Sequence, residues 1–513
     1  MIKTLEKRST IFIEKSKFFI SRLLLYFGFL LLPVWIQKSV ELSLFTQSMM
    51  MFCYLLFMGG QWYLLGKEVD HRLRIYFRAN STVDRILYRL VIGHGIMILL
   101  FNILSFIPTE IVRHFFWAFF IILGLFYSWP TRGKIIEESV TTQFTEYKYL
   151  DSFEKTVLLL VFIMFLVSMP SFPFISNLET YKLVVDPEEK MNTQLWNFLE
   201  INFLPFRRFP HLVNLGWSMH FYFVGIVFYL LAFYGIMRFM ISRRLSILGL
   251  FAVLSTWSFS IFLKKDAFFC ISTVFSVLWV WGILWCAKSA TYRSGLMFGL
   301  LCYIGVVLNY NFFFLFPVGL ALLYFLILKK DHTEWYRTQF VKYTSLGMFL
   351  ILLTLITHVD LSFFSNSMSS AEFVSYFKAV LDRKAFFSLS IFGLIFLVLL
   401  FIFPNWKKFN GLMIDQLCLK EFAFLVSILI LGGLFIEKDL IRGLGMLWLF
   451  AFFSVLPLEG VFQALSRVRS RRNFIYAVYI IVCLLDSHFE GRVRILYNFY
   501  QSPPDIVDLK SRE

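Results

Sequence analysis

The residues best placed to do chemistry fall in one long polar stretch and one short one. In ISNLETYKLVVDPEEKMNTQLWNFLEINFLPFRRFPHLVNLG, residues 175–216, the carboxylates Asp186 and Glu188 are followed by the cations Arg207 and Arg208 and by His211. A carboxylate beside a bound hydroxyl can take its proton. Adjacent guanidinium groups match a phosphate in both charge and shape. The turn Lys264-Lys265-Asp266 adds two more cations and a carboxylate between two apolar runs.

Each feature also has a plain structural reading. Asp186 as N-cap, Pro187 at the first helical position and Glu188 and Glu189 in the first turn start a helix. Leu195, Phe198, Leu199, Ile201 and Phe203 then give it an apolar face suited to lying on a membrane surface. Arg207, Arg208 and His211 suit anchoring at headgroup level, where long side chains reach toward water. Asp266 equally serves to neutralise a lysine at a costly membrane boundary.

The elements that must position these groups are membrane helices. The chain has 513 residues, 59% of them hydrophobic and only 16% charged, with 66 Phe and a mean hydropathy of +0.72. A soluble fold cannot cover that much apolar surface. Apolar runs of about 15 to 20 residues, the length that crosses the hydrocarbon core, recur along the chain. They fall at 18–36, 49–65, 90–107, 115–129, 157–174, 217–240, 245–263, 267–287, 295–310, 312–328, 343–357, 386–403, 422–436, 443–456 and 474–485. The expected fold is therefore an all-α polytopic bundle of about fifteen spans, with a range of roughly 13 to 16, plus an interfacial helix in the long external loop.

Charge sets the orientation. With the N-terminus cytoplasmic, the basic clusters 67–89, 132–155, 238–244, 288–293, 329–342, 407–420 and 467–472 share the cytoplasmic side, with roughly two thirds of the 49 Lys and Arg. The loops 175–216 and 359–385 then face the other way. The basic N-terminus is too long before its first apolar run for a cleaved signal peptide, so the first span is expected to be retained. The net charge of +16 belongs to membrane-flanking connections that touch anionic headgroups, and no nucleic-acid partner is expected. The six cysteines lie in or beside apolar segments without CxxC spacing, as small membrane hydrophobes.

The stretch from Val157 to about Leu328 resembles the core of GT-C fold membrane glycosyltransferases, in particular the protein O-mannosyltransferase and lipid A aminoarabinose transferase branch. VVDPEEKMNTQLW stands where that family has an acidic motif at the start of a long external loop, and RRFPHL where a proline-bearing basic motif precedes the next span. MISRRLS resembles its arginine-bearing cytoplasmic turn, FLKKDAFF its short external turn, and RSGLMFGLLCYIGVVLNYNFFFLFPVGLALLYF its glycine-containing hairpin. The resemblance implies a sugar transferred, with inversion, from a polyprenyl-phosphate donor to an extracytoplasmic lipid, glycan or protein. Asp186 would be the general base, with Glu188 as the second catalytic carboxylate. Arg207, Arg208, Lys264 and Lys265 would bind the leaving phosphate, with His211 and Asp266 as further site candidates. No cofactor is implied, and no ligand set in the sequence demands a divalent metal.

On this reading residues 1–155 form a four-span accessory region, 156–330 the core, and 331–513 a C-terminal membrane region, all in a bacterial inner membrane. The partners are the lipid-linked donor, membrane lipids and an acceptor the sequence does not name. A transporter or flippase is the principal alternative, because about fifteen spans suit one, with His94, His220 and Asn309-Tyr310-Asn311 as its nearest mid-span polar groups. His94 reads more simply as a satisfied bundle residue. A non-catalytic envelope scaffold is a third reading. YSWPTRGKIIEE, residues 127–138, lacks the paired aspartate-rich motifs of an intramembrane prenyltransferase, and 132–155 reads as a solvated cytoplasmic helix. There is no Walker, HExxH or GxSxG motif.

Overall fold

In hydrocarbon no water satisfies a free backbone N–H or C=O, so a chain this apolar must close its hydrogen bonds within helices. The computed structural model describes residues 20–38, 44–73, 82–128, 149–168, 193–220, 224–255, 267–288, 291–308, 312–313, 315–328, 334–357 and 469–487, with single positions at 454, 455 and 458. Among these residues there are helices and no strand.

The helices are α1 (Ile20–Lys38), α2 (Leu44–Leu73), α3 (Thr82–Leu104), α4 (Thr109–Ser128) and α5 (Ser152–Ser168). Next come α6 (Thr193–Asn202), a 3-10 turn at Leu204–Phe206, α7 (Pro210–Met219), α8 (Gly225–Met240) and α9 (Arg243–Ser255). The rest are α10 (Ala267–Lys288), α11 (Ser294–Leu308), α12 (Leu315–Leu328), α13 (Glu334–Thr357) and α14 (Arg469–Asp486). Four described helical stretches, Ile20–Lys38, Thr46–Leu73, Val83–Leu104 and Thr109–Tyr127, are long and apolar enough to cross a membrane. The chain is an integral membrane helical protein. The expected span 217–240 is shared between α7 and α8, and the expected loop 359–385 and the spans at 386–403 and 422–436 lie outside the described residues.

Lipid-facing sides read directly as exposed apolar stripes. Ile111, Phe115, Ile122 and Leu125 mark one on α4, and Phe474, Val478, Ile481 and Leu485 another on α14. The opposite sides feed one continuous core whose largest buried side chains include Trp62, Trp279 and Trp281.

Without a hydrophobic drive between helices in lipid, close backbone packing must hold the bundle. In the antiparallel pair of α2 and α3, the Trp62 carbonyl sits where a side chain on Gly93 would begin. Between α11 and α13 the approach is backbone on backbone. A Cβ on Gly299 would lie 2.6 Å from the Gly347 Cα, and one on Gly295 would lie 2.7 Å from the Phe340 carbonyl oxygen. Because 295 meets 340–344 and 299 meets 344–347, the two helices run parallel.

Polar contacts sort the helix ends into two groups. The Arg293 guanidinium donates to the Leu73 carbonyl at 2.6 Å, and Arg243 reaches Glu154 and the Tyr149 carbonyl. The ends of α2, α8 and α10 therefore share one end of the bundle with the starts of α5, α9 and α11. At the other end Gln37 of α1 donates to the Pro205 carbonyl of the 3-10 turn. The pairing of ends matches the alternation expected from the basic clusters.

Replacing Gly299 by Leu should force α11 from α13, costing about 1–3 kcal/mol or more as overpacking does. The expected result is a lowered thermal midpoint in detergent, while leucine at Gly60, which meets nothing within 4 Å, should leave the midpoint nearly unchanged.

Candidate functional site

The segment α6, 3-10 turn and α7 makes its turn at the Lys38 end, from which α7 runs inward to bring His220 beside His94 and Trp62. The apolar stripe of α6 was expected to lie on the membrane surface, but Leu195, Phe198, Leu199 and Ile201 are buried, with α6 packed on α3 and α11. The stripe faces protein, because α3 and α11 offer the apolar partner that lipid otherwise would. Tyr54 of α2 donates its hydroxyl to the Asn202 carbonyl at 2.7 Å, which ties off the C-terminal end of α6.

Leu204, Pro205 and Phe206 are buried in the turn that follows, and Arg207 and Arg208 are exposed directly after them. Phe206 packs edge-on against Tyr54 at 5.2 Å between ring centroids, and the Arg207 N–H donates to the Leu204 carbonyl at 3.2 Å. Two neighbouring guanidinium groups are thus presented on a turn whose backbone is fixed by its neighbours. His211 lies in the first turn of α7; its side chain, and the whole of Asp186, Glu188, Lys264, Lys265 and Asp266, lie outside the described residues.

The structure assembles a second polar group that sequence reasoning met only in pieces. His94 stands at the middle of the apolar stretch Val83–Leu104. Its ring lies 4.5 Å from Trp62 and 5.9 Å from His220, centroid to centroid. Phe198 covers both imidazoles at 5.3 and 5.6 Å, and Phe228 and Phe203 complete the box. Five elements meet here: α2, α3, α6, the end of α7 and α8. His94 was expected to be satisfied within the bundle, yet neither of its ring nitrogens has a hydrogen-bond partner among the described residues. The same holds for the side-chain amide of Asn202 and the indole N–H of Trp62, all of them buried. Buried polar groups in a membrane are costly unless answered, so a group of them is a functional pointer. Asn202 and Trp62 were missed because an Asn in LEINFL and a Trp in an apolar run carry no motif.

Several other buried polar groups are answered. Asp151 and Glu154 form a reciprocal cap at the start of α5, each accepting the other's backbone N–H at 2.9 and 2.7 Å. Glu154 also receives two Arg243 hydrogen bonds, at 2.8 and 2.9 Å, and Asp151 pairs with Arg244. These two acids were expected on a solvated helix, but Glu154 is buried and Asp151 half-buried because α9 packs on α5 and brings two arginines to them. The hydrogen-bonded Glu154 carboxylate holds the Arg243 guanidinium above its ordinary pKa. On α2 and α3, Asp70 accepts from Tyr88 and twice from Arg89, whose other arm donates to Tyr63 at 3.1 Å. Asp84 takes the Trp281 indole N–H at 2.9 Å.

Among the described residues no three His, Cys, Asp or Glu side chains gather as a metal site. No family model, curated protein or solved structure matches the chain.

Arg243→Ala should cost more stability than Arg244→Ala. The first strands a buried carboxylate, worth about 1–3 kcal/mol, and the second releases a half-exposed pair worth about 0–1 kcal/mol. Thermal unfolding of both variants in one detergent, ranked side by side, checks the order.

Proposed function

We propose that the chain is a membrane glycosyltransferase that takes a sugar from a polyprenyl-phosphate donor and passes it, with inversion, to an extracytoplasmic acceptor. The observation that supports this reading is the turn after α6: a buried Leu-Pro-Phe fixes the backbone and Arg207-Arg208 stand exposed at the membrane end shared with Lys38. Guanidinium groups held at that level suit a lipid-borne phosphate. In the transfer, Asp186 takes the proton of the acceptor hydroxyl as its oxygen attacks the anomeric carbon. The bond from that carbon to the phosphate oxygen breaks, and the electron pair leaves on the phosphate. Arg207 and Arg208, with Lys264 and Lys265, stabilise the charge that grows there, where preferential binding of the transition state raises the rate. The prenyl tail stays in hydrocarbon throughout.

The proposal includes about fifteen spans, a cytoplasmic N-terminus and a bacterial inner membrane. The buried His94 group favours a second reading, a transporter, because unanswered polar side chains at the middle of a span often line a substrate path.

Two measurements test these readings. With a radiolabelled polyprenyl-phosphate sugar and purified protein, Asp186→Asn should lower transfer by about 10²-fold or more. Arg208→Ala should lower it less, by about tenfold, as loss of one of several cations at a phosphate does. Equal turnover of Asp186→Asn and wild type removes the base assignment, and solute flux into proteoliposomes without sugar transfer favours the transporter. Separately, in inside-out and right-side-out vesicles, a membrane-impermeant maleimide should label Arg208→Cys from outside and Tyr149→Cys from inside. The reverse pattern inverts the topology.

A further inference from the structure

The two imidazoles at the centre of the bundle have the spacing of groups that share one small cation. Their ring centroids are 5.9 Å apart with the planes inclined by 36°. Metal–nitrogen bonds of about 2.0–2.1 Å place two imidazoles on a single ion with centroids roughly 5–6 Å apart. His94 and Trp62 face each other from α3 and α2, and His220 comes in from the end of α7, so the pair is drawn from separate elements and fixed by packing. We propose that His94 and His220 bind one copper(I) ion within the membrane.

Three observations select the ion. First, neither ring nitrogen of His94 has a protein partner among the described residues, so a lone pair is available on a buried neutral imidazole, the form that ligates metals. Second, no anionic ligand gathers beside the pair among those residues. An ion there keeps its whole charge in a water-poor setting of low dielectric constant, and because Born cost grows with the square of the charge, a monovalent ion is strongly preferred to zinc(II) or nickel(II). Third, the surroundings are soft. Trp62, Phe198, Phe203 and Phe228 present aromatic rings to the imidazoles, and aromatic faces attract cations. Fully buried Met58 stands one turn from Trp62 on α2, and buried Met97 stands three residues from His94 on α3, at spacings that share a helix face. Thioethers suit copper(I), and none of the groups named adds negative charge.

The ion binds and leaves as copper(I); no electron or proton transfer to it is involved. The inference rests on the geometry of this cluster alone and is independent of the sugar-transfer reading.

The test uses full-length protein in detergent under reducing, oxygen-free conditions, titrated with copper(I) in competition with a chromophoric copper(I) chelator. Wild type should take one equivalent. His94→Leu and His220→Leu should each weaken binding at least about tenfold, as the loss of groups at a metal site does, while Arg208→Ala should not change it. The copper absorption edge of the wild-type complex should show imidazole nitrogen scatterers, a readout that does not depend on whether either histidine variant folds. Wild type that leaves all copper with the chelator overturns the proposal, as does a spectrum with sulfur scatterers only. Binding unchanged in both monodisperse histidine variants also overturns it. Zinc(II) bound at one equivalent with affinity equal to or above that of copper(I) overturns the choice of ion.

Discussion

Inside hydrocarbon every polar group must find its answer within the protein, and this requirement shapes the bundle at each level. It makes the backbone helical. It then pairs the side chains that cannot reach water: Asp70 with Tyr88 and Arg89, Asp84 with the Trp281 indole, Glu154 with Arg243, and the Tyr54 hydroxyl with a carbonyl at the end of α6. Several of these contacts join segments far apart in sequence, so each also fixes one helix against another. Against that background the unanswered nitrogens of His94 and the unanswered amide of Asn202 stand out.

The segment from α6 to α7 links that buried cluster to the membrane surface. Its turn presents Arg207 and Arg208, its first helix supplies Phe198 and Asn202, and its last residues bring His220 to His94. The surface cations and the central imidazoles thus belong to one continuous segment, although they differ in chemistry.

Much of the architecture was legible in the sequence because its cause is compositional. Apolar runs of membrane length gave the helical class, and the alternation of basic clusters gave the grouping of helix ends that the Arg293 and Arg243 contacts display. What composition hides is the identity of the neighbour. The stripe of Leu195, Phe198 and Leu199 reads the same whether lipid or protein covers it, and only the placement of α3 and α11 decides. Glu154 looks like any acid in a mixed-charge stretch until α9 brings Arg243 to it. His94 carried a visible signal, a titratable residue in mid-span, but its partners Trp62 and His220 lie 32 residues before it and 126 after it, and no local spacing rule reaches that far. The expected carboxylates and lysines were read from order along the chain, and they remain a statement about sequence.

The contact of Gly299 with Gly347 has a bearing on how the chain assembles. α11 and α13 lie parallel with their backbones touching, so the polypeptide must return along the bundle, through the stretch that holds α12, before the two can meet. The seam therefore closes only after α13 has emerged from the insertion machinery, and until then the glycine face of α11 is open to any other smooth helix. Once closed, the seam clasps the stretch before α12 to the stretch after it.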